Sequence, residues 1–139
     1  AYEGAIQADP DLIMAYDNLG RSYLRLGRVN KAVEVFNAAL ALRPDFVNAL
    51  VGKGLAYHLT GSFQKAVSVY RQAIERQPDF GPAYYNLACA YARSGQVDAA
   101  KTAIRKAISL DDTYRSKAVA DRDLKPIRAW LESDSSQNN

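Results

Sequence analysis

Few side chains in this 139-residue sequence are of types that do covalent or metal chemistry. There is one histidine, His58, and one cysteine, Cys89. A helical zinc site needs a second His or Cys one turn away, and neither residue has one, so no metal or other cofactor is expected. His58 directly follows Tyr57, which turns it off the apolar face and makes it a surface or peptide-contacting side chain rather than a general base. Cys89 stands mid-helix at a small-residue position and reads as a packed apolar group, not a nucleophile. Acidic residues are numerous but form no recognisable catalytic pair. The glycines recur at a fixed interval instead of clustering into a phosphate-cradling loop. No constellation for an enzyme emerges. The chemistry that remains is recognition, through arginines, asparagines and apolar side chains displayed on helix faces.

The interval that organises those faces is 34 residues. Gly20, Gly54 and Ala88 repeat on it, as do Tyr23, Tyr57 and Tyr91, then Gly27, Gly61 and Gly95, then Ala32, Ala66 and Ala100. Pro10, Pro44 and Pro78 keep the same beat. A fixed period of this length means stacked supersecondary units rather than one closed core. Within a period, Tyr16, Leu19, Gly20 and Tyr23 form one helical face, and Ala32, Phe36, Ala39 and Leu40 form a second. The glycines between them suit a left-handed helix end, and the prolines stop each pair. Short turns make the neighbours antiparallel. Small residues let paired helices approach, and Phe36 and Tyr70 fill the space between pairs.

The net charge is only +3, with both signs interspersed, so nucleic-acid binding has little support. No apolar run is long enough to span a membrane. A single cysteine excludes an internal disulfide. After Asp112 the period stops. Thr113 to Ala120 suits one short helix, and Asp123 looks like the N-cap of another with Pro126 in its first turn. Leu124, Ile127, Trp130 and Leu131 give that helix an apolar face, expected to cap the open end of the array. Residues 133–139 read as a disordered polar tail.

The residues just named resemble the tetratricopeptide repeat. Residues 13–46 carry its full pattern: Tyr16, Leu19, Gly20, Tyr23, Gly27, Ala32, Phe36, Ala39 and Pro44. Residues 47–80 depart at Leu50 and Lys53, and residues 81–114 have Asp112 where proline is usual. Residues 1–12 match only the end of a preceding unit, through Tyr2, Ala5 and Pro10. The resemblance implies one all-α domain over residues 1–132: a right-handed α-solenoid of three full repeats, a partial one before them and a cap at 115–132. Because the chain enters a repeat partway, it is expected to be a piece of a longer array. Its front edge is then expected either to fray or to be covered by self-association.

In such arrays the first helix of each pair lines a concave groove. The positions left after packing is assigned give a candidate partner-binding surface of Asn18, Arg21, Arg25, Asn48, Val51, Leu55, His58, Tyr85, Asn86 and Arg93. Val51, Leu55, Leu59 and Tyr85 would form an apolar floor, with Arg21, Arg25 and Arg93 as a cationic rim and Asn18 and Asn86 holding a peptide backbone. The implied function is a scaffold or adaptor that holds a segment of a partner protein. The alternative is an oligomerisation or complex-assembly module acting through the array edges. Some family members clamp the acidic Glu-Glu-Val-Asp tails of heat-shock chaperones. The matching positions here are Asp17, Arg21, Gly52, Pro82 and Asn86, of which one alone is cationic, so such a tail is not the expected ligand.

Overall fold

In the computed structural model, residues 9–137 are described, and their regular structure is entirely helical. Six helices make three antiparallel pairs: α1 (Pro10–Arg25) with α2 (Val29–Leu42), α3 (Val47–Leu59) with α4 (Phe63–Arg76), and α5 (Gly81–Arg93) with α6 (Val97–Leu110). A short α7 (Thr113–Ala120), a 3₁₀ segment (Arg122–Ile127) and α8 (Arg128–Gln137) follow. Each helix also packs on the next pair, so the array is an α-solenoid. No helix among the described residues is long and apolar enough to cross a membrane.

The turns are built as the glycine spacing requires. Gly27, Gly61 and Gly95 have φ of 76°, 79° and 83°, the left-handed region that L side chains resist. The residue after each closes the helix: Arg28 N–H donates to the Tyr23 carbonyl at 2.8 Å, Ser62 to Tyr57 at 2.9 Å and Gln96 to Tyr91 at 2.9 Å. Asp9 caps α1 by accepting from the Asp11 amide at 3.1 Å, with Pro10 in the first turn.

Packing explains the other small residues. A Cβ on Gly20 would sit 2.5 Å from Cε1 of the fully buried Phe36, and one on Gly52 would collide with the same ring. Gly54 faces Tyr70 in the same way. In the third unit the matching core position is Ile104, not a ring, and Ala88 replaces glycine. Gly52 is thus a packing residue between two repeats, not the open groove position that the repeat register assigned to it.

The C-terminal end departs from expectation in two respects. Asp121, not Asp123, is the N-cap: its carboxylate accepts from the Asp123 amide at 2.9 Å, and a 3₁₀ segment follows with Pro126 inside it. The last helix also continues to Gln137, through residues expected to be a disordered tail. Ser133 to Gln137 contain no Gly or Pro to stop a helix whose first turns are held by packing. Leu124, Ile127 and Leu131 are fully buried against the third repeat, as a cap requires. Trp130 is only half-buried, with the Arg105 guanidinium 4.8 Å and the Lys101 ammonium 5.4 Å from its ring centroid. The expectations for residues 1–8 and for Asn138–Asn139 lie outside the described residues.

Candidate functional site

The first helices α1, α3 and α5 lie side by side and present one face. Helix α7 starts as a fourth first helix would. Tyr114 falls where Phe46 and Phe80 fall in earlier units, and it stacks on Tyr85 with ring centroids 5.2 Å apart. The helix then ends at Ala120, and the 3₁₀ segment turns back across α5. This carries two carboxylates onto the face. Tyr85 donates its hydroxyl to Asp121 Oδ2 at 2.7 Å, and the Cys89 thiol lies 3.8 Å from the same oxygen. Asp123 Oδ2 is 3.1 Å from His58 Nε2, and Arg93 donates to Asp123 Oδ1 at 2.9 Å. Phe63 buttresses both partners, with His58 edge-on at 5.0 Å and the Arg93 guanidinium over its ring at 5.2 Å. The Lys117 ammonium stands 4.6 Å from the Tyr85 ring centroid.

These groups line a half-open pocket of about 220 Å³, with His58, Tyr70, Tyr85, Cys89, Asp121 and Asp123 among its walls. Burial, and then the Asp121 and Asp123 carboxylates, push the Cys89 thiol well above its ordinary range, so it is protonated at neutral pH. Burial also raises the phenols of Tyr70 and Tyr85, the latter helped by its bond to Asp121. The Tyr70 hydroxyl is buried and has no hydrogen-bond partner among the described residues.

The C-terminal segment therefore changes how the predicted groove residues stand. Val51 and Tyr85, expected as open floor, are each 3 % exposed. Tyr85 is covered by Tyr114 and Asp121, and Val51 is packed into the core. His58 and Arg93, expected to meet a partner, are engaged by Asp123. Asn86 lines the half-open pocket. The other half of the face remains open. Asn18 and Arg25 are exposed, and Arg21, Leu24, Arg25, Leu55 and Leu59 line a recess of about 300 Å³. Arg21 is fixed there by Asp17 Oδ2 at 3.3 Å and by the Asn48 carbonyl at 3.2 Å, a bridge between the first two repeats. Asn48 thus contributes its backbone, and its side chain is half-buried. Asp121, Asp123 and Lys117 carry the closed half and were not singled out by sequence. They lie beyond the last repeat, where periodicity no longer assigns a face.

Stacked helix pairs with left-handed glycine turns and a ring-against-glycine ladder define an α-solenoid repeat protein. Sequence models of the tetratricopeptide repeat match residues 18–82 and 69–102. The chain belongs to the tetratricopeptide-repeat family. The comparison with curated proteins gave no match. Among solved structures it is similar to the first such domain of Spaghetti (RPAP3) bound to the HSP90 peptide SRMEEVD, at 14 % identity and TM-score 0.73, covering 93 % of this chain and 97 % of that one. It is also similar to the Yersinia enterocolitica type III secretion translocator chaperone SycD (16 %, 0.71, 91 % and 91 %). A third is Pseudomonas aeruginosa PcrH in complex with the chaperone-binding region of PopB (17 %, 0.69, 91 % and 97 %). At these identities the likeness is one of fold.

Proposed function

We propose that this chain is a protein-interaction module that holds a partner segment in the open half of its concave face, between α1 and α3. The observation that carries this is the recess of Arg21, Leu24, Arg25, Leu55 and Leu59. Leu59 is 59 % exposed on a helix whose other apolar residues are packed, and Arg25 is exposed beside it. Apolar surface rimmed by charge marks an interaction site. The segment that fits carries one apolar side chain for the leucines and an acidic group for the arginines. A rigid helical face leaves most of the ordering cost to the ligand. Two similar structures were solved with peptide segments bound, which supports a groove as the working surface.

A peptide-display selection against the intact chain should return sequences that pair acidic with apolar residues. Arg25→Glu combined with Leu59→Ser should weaken a selected peptide at least tenfold and leave the helical circular dichroism unchanged. Selected peptides that bind this double variant as tightly as the parent would refute the reading. The alternative, assembly through the front edge, is favoured by Leu12, Met14 and Leu19 of α1, which are 41, 44 and 43 % exposed. It requires a mass in sedimentation that rises with concentration and falls on Met14→Glu.

A further inference from the structure

The half of the face crossed by the C-terminal segment holds a cluster that the proposed peptide binding does not use. Cys89, Asp121 and Asp123 each place one donor atom such that all three lie within 4.8 Å of one another. His58 Nε2 stands 3.1 Å from Asp123 Oδ2 and adds a nitrogen donor at the edge of the group. We propose that this cavity is a divalent transition-metal site, with zinc as the ion that fits it. The inference reverses the expectation from sequence spacing. The donors come from α3, α5, the N-cap Asp121 and the 3₁₀ segment, so no one-turn motif could announce them.

The geometry suits zinc. With Zn–S near ~2.3 Å and Zn–O or Zn–N near ~2.0–2.1 Å, tetrahedral coordination sets S···O edges of about 3.5 Å and N···O edges of about 3.4 Å. The observed Cys89 Sγ to Asp121 Oδ2 distance of 3.8 Å is within a few tenths of an ångström of its edge. The Cys89, Asp121 and Asp123 donors, within 4.8 Å of one another, would draw together on the ion, and His58, which bonds Asp123 at 3.1 Å but stands outside that trio, would move in as the fourth ligand. The cavity of about 220 Å³ has room for an ion and a bound water. A second, independent observation is Tyr70. It is fully buried and lines the cavity, and its hydroxyl has no partner among the described residues. Buried hydroxyls are rarely left so, and a metal-bound water would supply the missing partner.

The donor set selects the ion. A thiolate with imidazole and carboxylate suits a borderline-soft cation such as zinc, whereas magnesium and calcium favour oxygen alone. Binding would be a simple exchange. Zinc enters, the Cys89 sulfur gives its proton to solvent, and the His58–Asp123 hydrogen bond opens, the neutral imidazole moving its proton from Nε2 to Nδ1 so that Nε2 and the carboxylate can both ligate. Arg93 holds Asp123 through Oδ1 and leaves Oδ2 available. Lys117 also lines the cavity, and its charge opposes an incoming cation.

The test uses the intact chain, stripped with a chelator and titrated with zinc chloride or cobalt chloride. One zinc should bind per chain, with release of one proton seen as buffer-dependent calorimetric heat. Cobalt should show a tetrahedral d–d spectrum and a thiolate charge-transfer band. Cys89→Ser and the near-isosteric Asp121→Asn should each weaken zinc at least tenfold, and Tyr70→Phe should do so severalfold. Lys117→Gln should tighten it, and excess magnesium should not compete. Circular dichroism of each variant checks folding. Absence of stoichiometric zinc, equal binding by the Cys89 and Asp121 variants, or an octahedral cobalt spectrum without the thiolate band would each overturn the site. Ordered water alone in the cavity would show itself as no zinc binding together with a Tyr70→Phe variant at least as stable as the parent. None of these outcomes depends on peptide binding at the open half.

Discussion

Leu124→Ala should damage this protein more than Trp130→Ala, although Trp130 is the largest side chain of the cap. Leu124 is fully buried in the core that runs from α3 into the C-terminal segment. Truncating such a leucine costs about 2–5 kcal/mol, the loss growing with the cavity that remains. Leu124 sits in a 3₁₀ segment at the end of the array, where partial collapse is possible, so about 3 kcal/mol is expected. Trp130 is half-buried, and the Arg105 and Lys101 cations stand over its ring. Solvent-accessible cation–π contacts contribute only about 0.5–1 kcal/mol. With the partial burial of the ring, Trp130→Ala should cost about 1–2 kcal/mol in total. Sequence alone, which sees an indole on an apolar face, assigns it about 3–5 kcal/mol. Urea titration followed by far-ultraviolet circular dichroism measures both. In Leu124→Ala the emission of Trp130, the sole tryptophan, should also shift before the helical signal falls, because each unit is held only by its neighbours. A Trp130→Ala variant less stable than Leu124→Ala, or coincident optical transitions in the latter, would refute the reasoning.

Other outcomes follow from single contacts. Gly54→Ala places a methyl against the buried Tyr70 ring and should cost about 1–3 kcal/mol by overpacking, while Gly61→Ala, with φ of 79° and nothing near its Cβ, should cost about 1–2 kcal/mol through backbone strain. Thermal denaturation of both decides this, and an unchanged melting point in either would contradict it. The Cys89 thiol, raised by burial and by the nearby carboxylates, should react with iodoacetamide at pH 8 far more slowly than in the unfolded chain. Because its folded pKa lies above the unfolded one, the stability it contributes is present below the free-thiol range and declines as pH rises through that range toward the folded value. Cys89→Ala should flatten that decline, and a parent-like slope in the variant would count against it. A peptide ending Glu-Glu-Val-Asp should bind poorly, because Asp17 is buried against Arg21 and Gly52 lies under Phe36 where the clamp needs cationic and amide groups. Micromolar affinity in calorimetry, abolished by amidating the peptide, would overturn this.

Much of the fold was legible because it is periodic. Gly20 and Gly54 announce the close approach of Phe36 and Tyr70, and Gly27, Gly61 and Gly95 announce the turns, each by recurring. Which side chains share the first-helix face was legible only where the same register still governs. Arg21, Arg25 and Leu55 line one recess on that face. Val51 and Tyr85 do not, since whether a groove residue is open depends on what crosses the groove. That crossing is made by Asp121 and Asp123, whose contacts to His58, Tyr85 and Arg93 span 30 to 65 residues of sequence. No local pattern encodes such pairings. The 3₁₀ geometry of Arg122–Ile127 was missed for a related reason, since the Asp and Pro that read as an ordinary helix start also suit a tighter turn.

Why the chain crosses its own groove follows from how the repeat ends. A fourth first helix would carry a small residue at position 122 and an aromatic at 125, the places held by Gly20, Gly54 and Ala88 and by Tyr23, Tyr57 and Tyr91. The residues there are Arg122 and Lys125, which cannot enter the packing that those positions occupy, and both are exposed. Asp121 and Pro126 then favour a cap and a break over continuation of α7. The helix stops after Ala120, and Leu124 and Ile127 find their burial against α5 and α6 instead. The same turn swings Asp121 and Asp123 onto Tyr85, Cys89, His58 and Arg93. One interruption of the ladder therefore does two things. It closes the apolar end of the solenoid, and it divides the first-helix face into a half-open polar pocket and an open, arginine-rimmed recess.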